Sequence, residues 1–248
     1  MIRFLQSWGV PIMMSGVYGV LMWSSETDNT GKAWMAIGLA MVFVVWWLFR
    51  TLTGIAALSR AVSVGDAART LELVGQQLPR RKQPAARAPL LVSRALAHEL
   101  RGDWPAVLAS LDEAQLETVP EKQRASWQVL AISARVGALI ETGDVPAARA
   151  LVDRELGPLA TQLDRRAHPT ANLHVMLAKG RVAAAEGATD AAKRLLQAAL
   201  DDVHAGGASR ALAHFYLARI TGEVAAAAHR VEIAKLIPDA SLWIRTAR

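Results

Sequence analysis

Residues 33–49 form a run of 17 residues without a charged side chain, and this run constrains the fold more than any other stretch. At about 1.5 Å of rise per residue, a helix of this length covers about 26 Å, slightly less than the ~30 Å hydrocarbon core of a bilayer. Tryptophan side chains and Arg50 at its end can sit at headgroup level and extend what the helix covers. The run therefore predicts a membrane-spanning helix.

A second apolar stretch, about residues 4–23, precedes this run, and the polar loop 24–32 between them is long enough only for a hairpin connection. Pro11 lies inside the first stretch, where a membrane helix tolerates proline if neighbouring groups satisfy the freed carbonyl. Tryptophans fall at both ends of the pair, as in two aromatic belts. We predict a two-span transmembrane hairpin over residues 1–50. A removed signal peptide is the alternative for the first stretch, but no small-residue cleavage site follows it.

Basic residues set the expected orientation of the hairpin. Arg3 precedes the first span and Arg50 and Arg60 follow the second, whereas the connecting loop carries Glu26, Asp28 and one lysine. The positive-inside rule then places both termini in the cytoplasm. The predicted location is the inner (cytoplasmic) membrane of a bacterium, with a multi-pass anchor.

The chain carries a net charge of +6 and has a pI of about 10.2, which points to an anionic partner. Arg80, Arg81 and Lys82 lie soon after the second span, where each basic group contributes about 1 kcal/mol with anionic lipids. Nucleic acid is the other partner that a basic protein suggests. Topology and lipid contact account for the excess of charge, so we expect no nucleic-acid binding.

A turn beginning with glycine recurs after the hairpin, at Gly65, Gly102, Gly143, Gly187 and Gly222. The spacing of roughly 35–44 residues is typical of helical-hairpin repeats. Glycine suits the left-handed end of one helix, and the aspartate that follows in several turns can cap the next helix. Proline at the first turn of that second helix costs no hydrogen bond. The pattern predicts successive pairs of helices.

Two of these turns, 102–114 (GDWPAVLASLDEA) and 143–152 (GDVPAARALV), resemble the tetratricopeptide repeat (TPR) family. The resemblance covers about residues 53–238 and implies four or five stacked helix pairs, each closing the core of its neighbour. A generic irregular helical solenoid is the alternative. The order of two spans followed by repeats is similar to that of HemY-like membrane proteins, with only the layout in common.

The expected fold is all-α: the transmembrane hairpin, a juxtamembrane helical hairpin at 51–78, a Pro/Arg-rich linker at 79–89, and a TPR-like repeat domain at 90–248. The linker is expected because three prolines and four basic residues fall within eleven positions. The tail after residue 237 contains Leu242, Trp243 and Ile244 and is too short for another pair. We expect it to cap the last apolar face.

The sequence contains none of the common catalytic motifs. There are no cysteines, which excludes disulfides, thiolate nucleophiles and cysteine metal sites. Phosphate-binding glycine loops, nucleophile elbows and zinc-protease motifs are missing, and none of the six histidines is four residues from another. We predict no catalytic residue, no cofactor and no metal. An enzyme of unfamiliar type is the remaining alternative.

A binding surface is the function left for such a chain. In TPR-like repeats the first helix of each pair lines a groove, and counting back from the turn glycines places five residues there: Glu99, His174, Arg181, Tyr216 and Arg219. Arginine and tyrosine are common interface anchors, and two arginines near a tyrosine suit an acidic peptide or carboxylate. Internal salt bridges or solvation are the alternative. The lysine and asparagine set of carboxylate-clamp TPR domains is missing.

These features predict a membrane-anchored scaffold or adaptor that binds a partner protein through its cytoplasmic TPR-like domain. The alternative is an accessory structural subunit of a larger membrane complex, respiratory, photosynthetic or secretory, in which the spans carry the contacts.

Overall fold

The computed structural model describes residues 29–163 and 168–237, and every regular element in this part is helical. The predicted all-α class is therefore confirmed for these residues. The predicted first span at 4–23 and the predicted cap at Leu242, Trp243 and Ile244 lie outside the described residues.

Eleven α-helices make up the described part: α1 Asn29–Val64, α2 Ala67–Gln77, α3 Pro84–Arg101, α4 Trp104–Glu113, α5 Glu121–Glu141, α6 Val145–Leu151, α7 Gly157–Gln162, α8 Pro169–Ala185, α9 Thr189–Asp201, α10 Gly207–Ile220 and α11 Glu223–Leu236. Short 3₁₀ turns at Leu78–Arg80 and Leu116–Thr118 follow α2 and α4. A π-helical turn at Val152–Leu156 joins α6 to α7.

The chain divides into two compact units, residues 1–57 and residues 58–248. In the first unit the structure describes residues 29–57, which belong to α1. Ile37 and the five consecutive residues 41–45 have large apolar side chains that are exposed. Within residues 29–163 and 168–237, no helix combines the length and apolar character required to cross a membrane.

The turn chemistry predicted from sequence holds at three of the five turns. Gly102 adopts a left-handed φ of 69°, and the Asp103 carboxylate accepts a hydrogen bond from the Ala106 backbone N–H at 3.3 Å. The turns at 65–66 and 143–144 repeat this arrangement. At the fourth turn only the left-handed glycine is present, since the N-cap of α9 is Ala188. Gly222 is itself the N-cap of α11, with extended backbone, so the prediction was wrong there.

The predicted linker at 79–89 requires correction, because α3 begins at Pro84 and continues through its second half. Pro84 occupies the first helical position, where proline has no N–H to lose. Pro89 is only one turn further, and the helix continues past it with buried Leu90 and Leu91. The proline count therefore overstated the break, which is confined to the few residues between the 3₁₀ turn and Gln83.

The first helices of successive pairs pack side by side, with α3 against α5, α5 against α8, and α8 against α10. Each also packs against its own second helix, as α8 does against α9 and α10 against α11. The large core cluster runs through these contacts and includes Val136, Leu177 and Phe215. This is the arrangement expected of a repeat-like array of helical hairpins.

The first hairpin of the second unit also contacts the last one. A Cβ built on Gly206 would clash with the backbone carbonyl of Ser63, and one on Gly207 would lie 2.8 Å from the Val64 carbonyl oxygen. Gly65, in the turn between α1 and α2, lies against the side chain of Ile237. The last hairpin therefore lies against the first hairpin of this unit, and glycines make that close approach possible.

We expect Gly206→Ala to destabilise the fold by about 1–3 kcal/mol, because the added methyl overlaps the Ser63 backbone and the helix end must move. Gly222→Ala is a matched control, since Gly222 is also an extended N-cap glycine and has nothing within 4 Å of the built Cβ. Denaturant unfolding of the full-length chain in detergent micelles measures both. Equal destabilisation by the two substitutions would contradict the close contact.

Candidate functional site

The structure brings the five predicted groove residues together on three helices. Glu99 lies on α3, His174 and Arg181 lie on α8, and Tyr216 and Arg219 lie on α10. Helix α5 runs between α3 and α8 and packs against both. We refer to these five residues together with Ser133 and Glu141 of α5 as the inner polar cluster.

A fully buried ion pair forms the centre of the inner polar cluster. Nη1 of Arg181 donates to Oε1 of Glu99 at 2.6 Å and to the backbone carbonyl of Ser133 at 3.2 Å. The side chains are 0% and 2% exposed. The pair crosses α5 at Gly137, where a Cβ would lie 2.6 Å from the Glu99 oxygen and 2.7 Å from Nη1. A side chain at this position would therefore have to displace the ends of the ion-paired Glu99 and Arg181 side chains.

The second layer of the cluster is centred on Glu141, the last residue of α5. Its Oε1 accepts hydrogen bonds from the Tyr216 hydroxyl at 3.0 Å and from Nη1 of Arg219 at 2.5 Å. The Arg181 guanidinium lies 5.3 Å from the centroid of the Tyr216 ring, within the range of a cation–π contact. The two layers are thereby joined through Tyr216.

Burial governs protonation in the cluster. It raises the pKa of Glu99, against the opposing charge of Arg181, and raises the pKa of Tyr216 well above its usual range. Burial, assisted by the charge of Arg181, lowers the pKa of His174 to about 3, so this imidazole is neutral near pH 7. Its Nδ1 lies 3.4 Å from the Ser133 hydroxyl. The cluster is a set of matched charges and neutral donors.

Four of the five predicted residues are inaccessible in this structure, since none of them is more than 6% exposed. Arg219 differs, because 41% of its side chain is exposed although it is paired with Glu141. The sequence placed all five on an open groove, whereas the structure places most of them inside. Internal ion pairing, the alternative considered from sequence, describes both arginines.

The contribution of α5 to the cluster was not predicted from the sequence. Ser133, Gly137 and Glu141 are spaced four residues apart and therefore lie on one face of that helix. A glycine in the middle of a long helix, flanked at this spacing by two polar residues, was the available signal.

Nε and Nη2 of Arg181 are buried without a hydrogen-bond partner, which makes the cluster costly to bury.

Two further features bear on the predicted partners. Arg80, Arg81 and Lys82 are exposed at and just after the 3₁₀ turn that follows α2. Across the described ranges, no group of three or more histidine, aspartate or glutamate side chains is arranged to hold a metal ion.

Comparison with known proteins gives no match to a protein-family model, to a curated protein or to a solved structure.

We expect Arg181→Met to destabilise the full-length protein by about 3–5 kcal/mol, because it leaves the Glu99 carboxylate buried without its counter-charge. Arg219→Met is the control, since its pair is partly exposed and should contribute about 1 kcal/mol or less. The double variant Glu99→Leu/Arg181→Met should recover most of the loss. Denaturant unfolding tests all three, and a double variant as unstable as Arg181→Met would contradict the argument.

Proposed function

We propose that the protein is a membrane-anchored scaffold or adaptor that binds a partner protein through a TPR-like helical domain on the cytoplasmic side. The proposal rests on one observation, the exposed apolar segment that Ile37 and residues 41–45 form on α1. The recurring turns and their resemblance to tetratricopeptide repeats support the second half of the proposal, because arrays of helical hairpins commonly present binding surfaces.

The apolar segment is exposed around the whole circumference of α1. Met41, Val42, Phe43, Val44 and Val45 are consecutive, and each is between 42% and 60% exposed. At 3.6 residues per turn, five consecutive positions point in every direction. A helix that is apolar all round is suited to a membrane or to a large protein core. This is the observation that motivates the proposed anchor, and it concerns Met41 to Val45 alone.

The partner-binding part of the proposal is best supported at Arg219. It is the accessible member of the five predicted residues, and its guanidinium also lies 5.4 Å from the Phe215 ring centroid. Arginine binds carboxylates through two parallel hydrogen bonds. An acidic side chain of a partner would compete with Glu141 for this guanidinium.

We expect the full-length chain to stay in the membrane pellet after carbonate washing, because the apolar segment favours hydrocarbon over water. A photo-crosslinking amino acid at position 219 should then capture a defined partner in intact membranes. Position 193 is the matched control, since Lys193 is an exposed cation on α9, the second helix of its pair.

Complete extraction by carbonate would contradict the proposed membrane anchor. Identical crosslinked products at positions 219 and 193 would contradict a partner-binding surface at Arg219.

We also propose that Arg80, Arg81 and Lys82 contact anionic lipid headgroups. In nanodiscs, acetylation of the Lys82 amine should be several-fold slower with anionic lipids than with zwitterionic lipids, and added salt should reverse the effect. Lys193 is an internal control of the same exposed type. Equal changes at both lysines would contradict lipid contact at residues 80–82.

An accessory subunit of a larger membrane complex is the second candidate function. The burial of four predicted groove residues favours it, because the apolar segment of α1 would then carry the main contacts. Native electrophoresis in mild detergent separates the two candidates. A subunit is found only in the band of its complex, whereas an adaptor also gives a band of the unbound protein.

A further inference from the structure

Two histidines that are fifteen residues apart in sequence meet across the last helical hairpin. His214 lies on α10 and His229 lies on α11, and their Nδ1 atoms are 2.9 Å apart. Both side chains are half-buried. This contact was not anticipated from the sequence, where the histidine spacing gave no sign of a pair.

The geometry of the rings identifies the contact as a hydrogen bond. The ring centroids are 5.1 Å apart, close to the nitrogen separation plus one ring radius on each side, so the two Nδ1 atoms face each other directly. A tetrahedral metal ion with ~2.0–2.1 Å bonds would hold two ligand nitrogens about 3.3 Å apart, with both rings pointing at the ion. A shared proton fits this arrangement better than a shared metal.

The hydrogen bond depends on the number of protons on the pair. With both rings neutral, one Nδ1 carries hydrogen and the other accepts it. With one ring protonated, a charged N–H donates to the neutral nitrogen, and the bond is strengthened. With both rings protonated, two N–H groups and two positive charges face each other and the bond is lost.

We propose that His214 and His229 form a proton-operated latch that holds α10 against α11 and releases when the second ring is protonated. The latch acts on the last hairpin of the described array. At acidic pH its release loosens α11 locally, while the remaining hairpins keep their packing.

The surroundings of the pair are consistent with this direction. Burial lowers the pKa of both imidazoles, and for His214 the neighbouring His229 and Arg210 add to the lowering, whereas Glu232 on α11 opposes it. A lowered histidine pKa means that the folded hairpin disfavours the charged form. The stability that the pair contributes is therefore intact above the ordinary value of 6.5 and is lost when the pH has fallen far enough below it to protonate the second ring.

His174 must be separated from the latch because burial also lowers its pKa, and it acts in the same direction. It lies on α8, in contact with Ser133 of α5, so its protonation would loosen the middle of the array. Comparison of the last hairpin with α8 distinguishes the two effects.

Hydrogen exchange measured by mass spectrometry on the full-length chain in detergent micelles tests the latch at about pH 8 and at a series of lower values down to about pH 4, which stays above the pKa of about 3 of His174. After correction for intrinsic exchange, peptides from α10 and α11 should exchange several-fold faster at the low end of the series, relative to peptides from α8. His229→Asn should markedly reduce this increase, because an amide can pair with Nδ1 of His214 in either protonation state and carries no second charge. His204→Asn, in an exposed loop, is the matched control and should retain it.

NMR titration of the labelled imidazoles gives a second readout that needs no variant. The pair should titrate in two coupled steps, the second of them below 6.5. Independent ordinary titration of both rings would overturn the latch, as would an undiminished acid response in His229→Asn. Saturable Zn²⁺ binding that His229→Asn abolishes would also overturn it, in favour of a ligand pair.

Discussion

The buried ion pair between Glu99 and Arg181 is the contact that most constrains how the helices of the array pack, because neither charge can be buried without the other. It joins α3 to α8 across the intervening α5, and it does so through the space left by the missing side chain of Gly137. Moving two charges out of water is costly, and that cost is offset only if both partners and their hydrogen bonds are in place. The pair therefore disfavours any arrangement of α3, α5 and α8 that separates one charge from the other.

The charges of the second layer extend the same constraint to α10. Glu141 accepts hydrogen bonds from both Tyr216 and Arg219, so the buried Arg181 and the partly exposed Arg219 are each matched by a glutamate from another helix. In an open binding groove such arginines would be available to bind a carboxylate of a ligand. Here the chain supplies both carboxylates itself, and the first helices of the repeats can approach closely enough to exclude water from most of the cluster.

The sequence predicted local structure and shared faces well, but it did not predict the distance between helices. Counting back from the turn glycines correctly grouped Glu99, His174, Arg181, Tyr216 and Arg219, because helical periodicity fixes which positions face the same way. Whether that face is open depends on how close α3, α5 and α8 come, and Gly137 leaves the space for that close approach. Such contacts join residues far apart in sequence, which no local pattern encodes. The start of α3 was missed for the opposite reason, since proline was given too much weight in a first turn that accommodates it.

The described part of the chain buries charged side chains within its helical array and exposes apolar side chains on α1. The exposed side chains of α1 need an apolar surrounding, which the charged interior of the array does not provide. Fully burying a large aliphatic or aromatic side chain is worth about 1.5–3 kcal/mol, so covering residues 37–45 is comparable to the whole stability of a typical domain. A bilayer and a set of partner helices would both provide that cover.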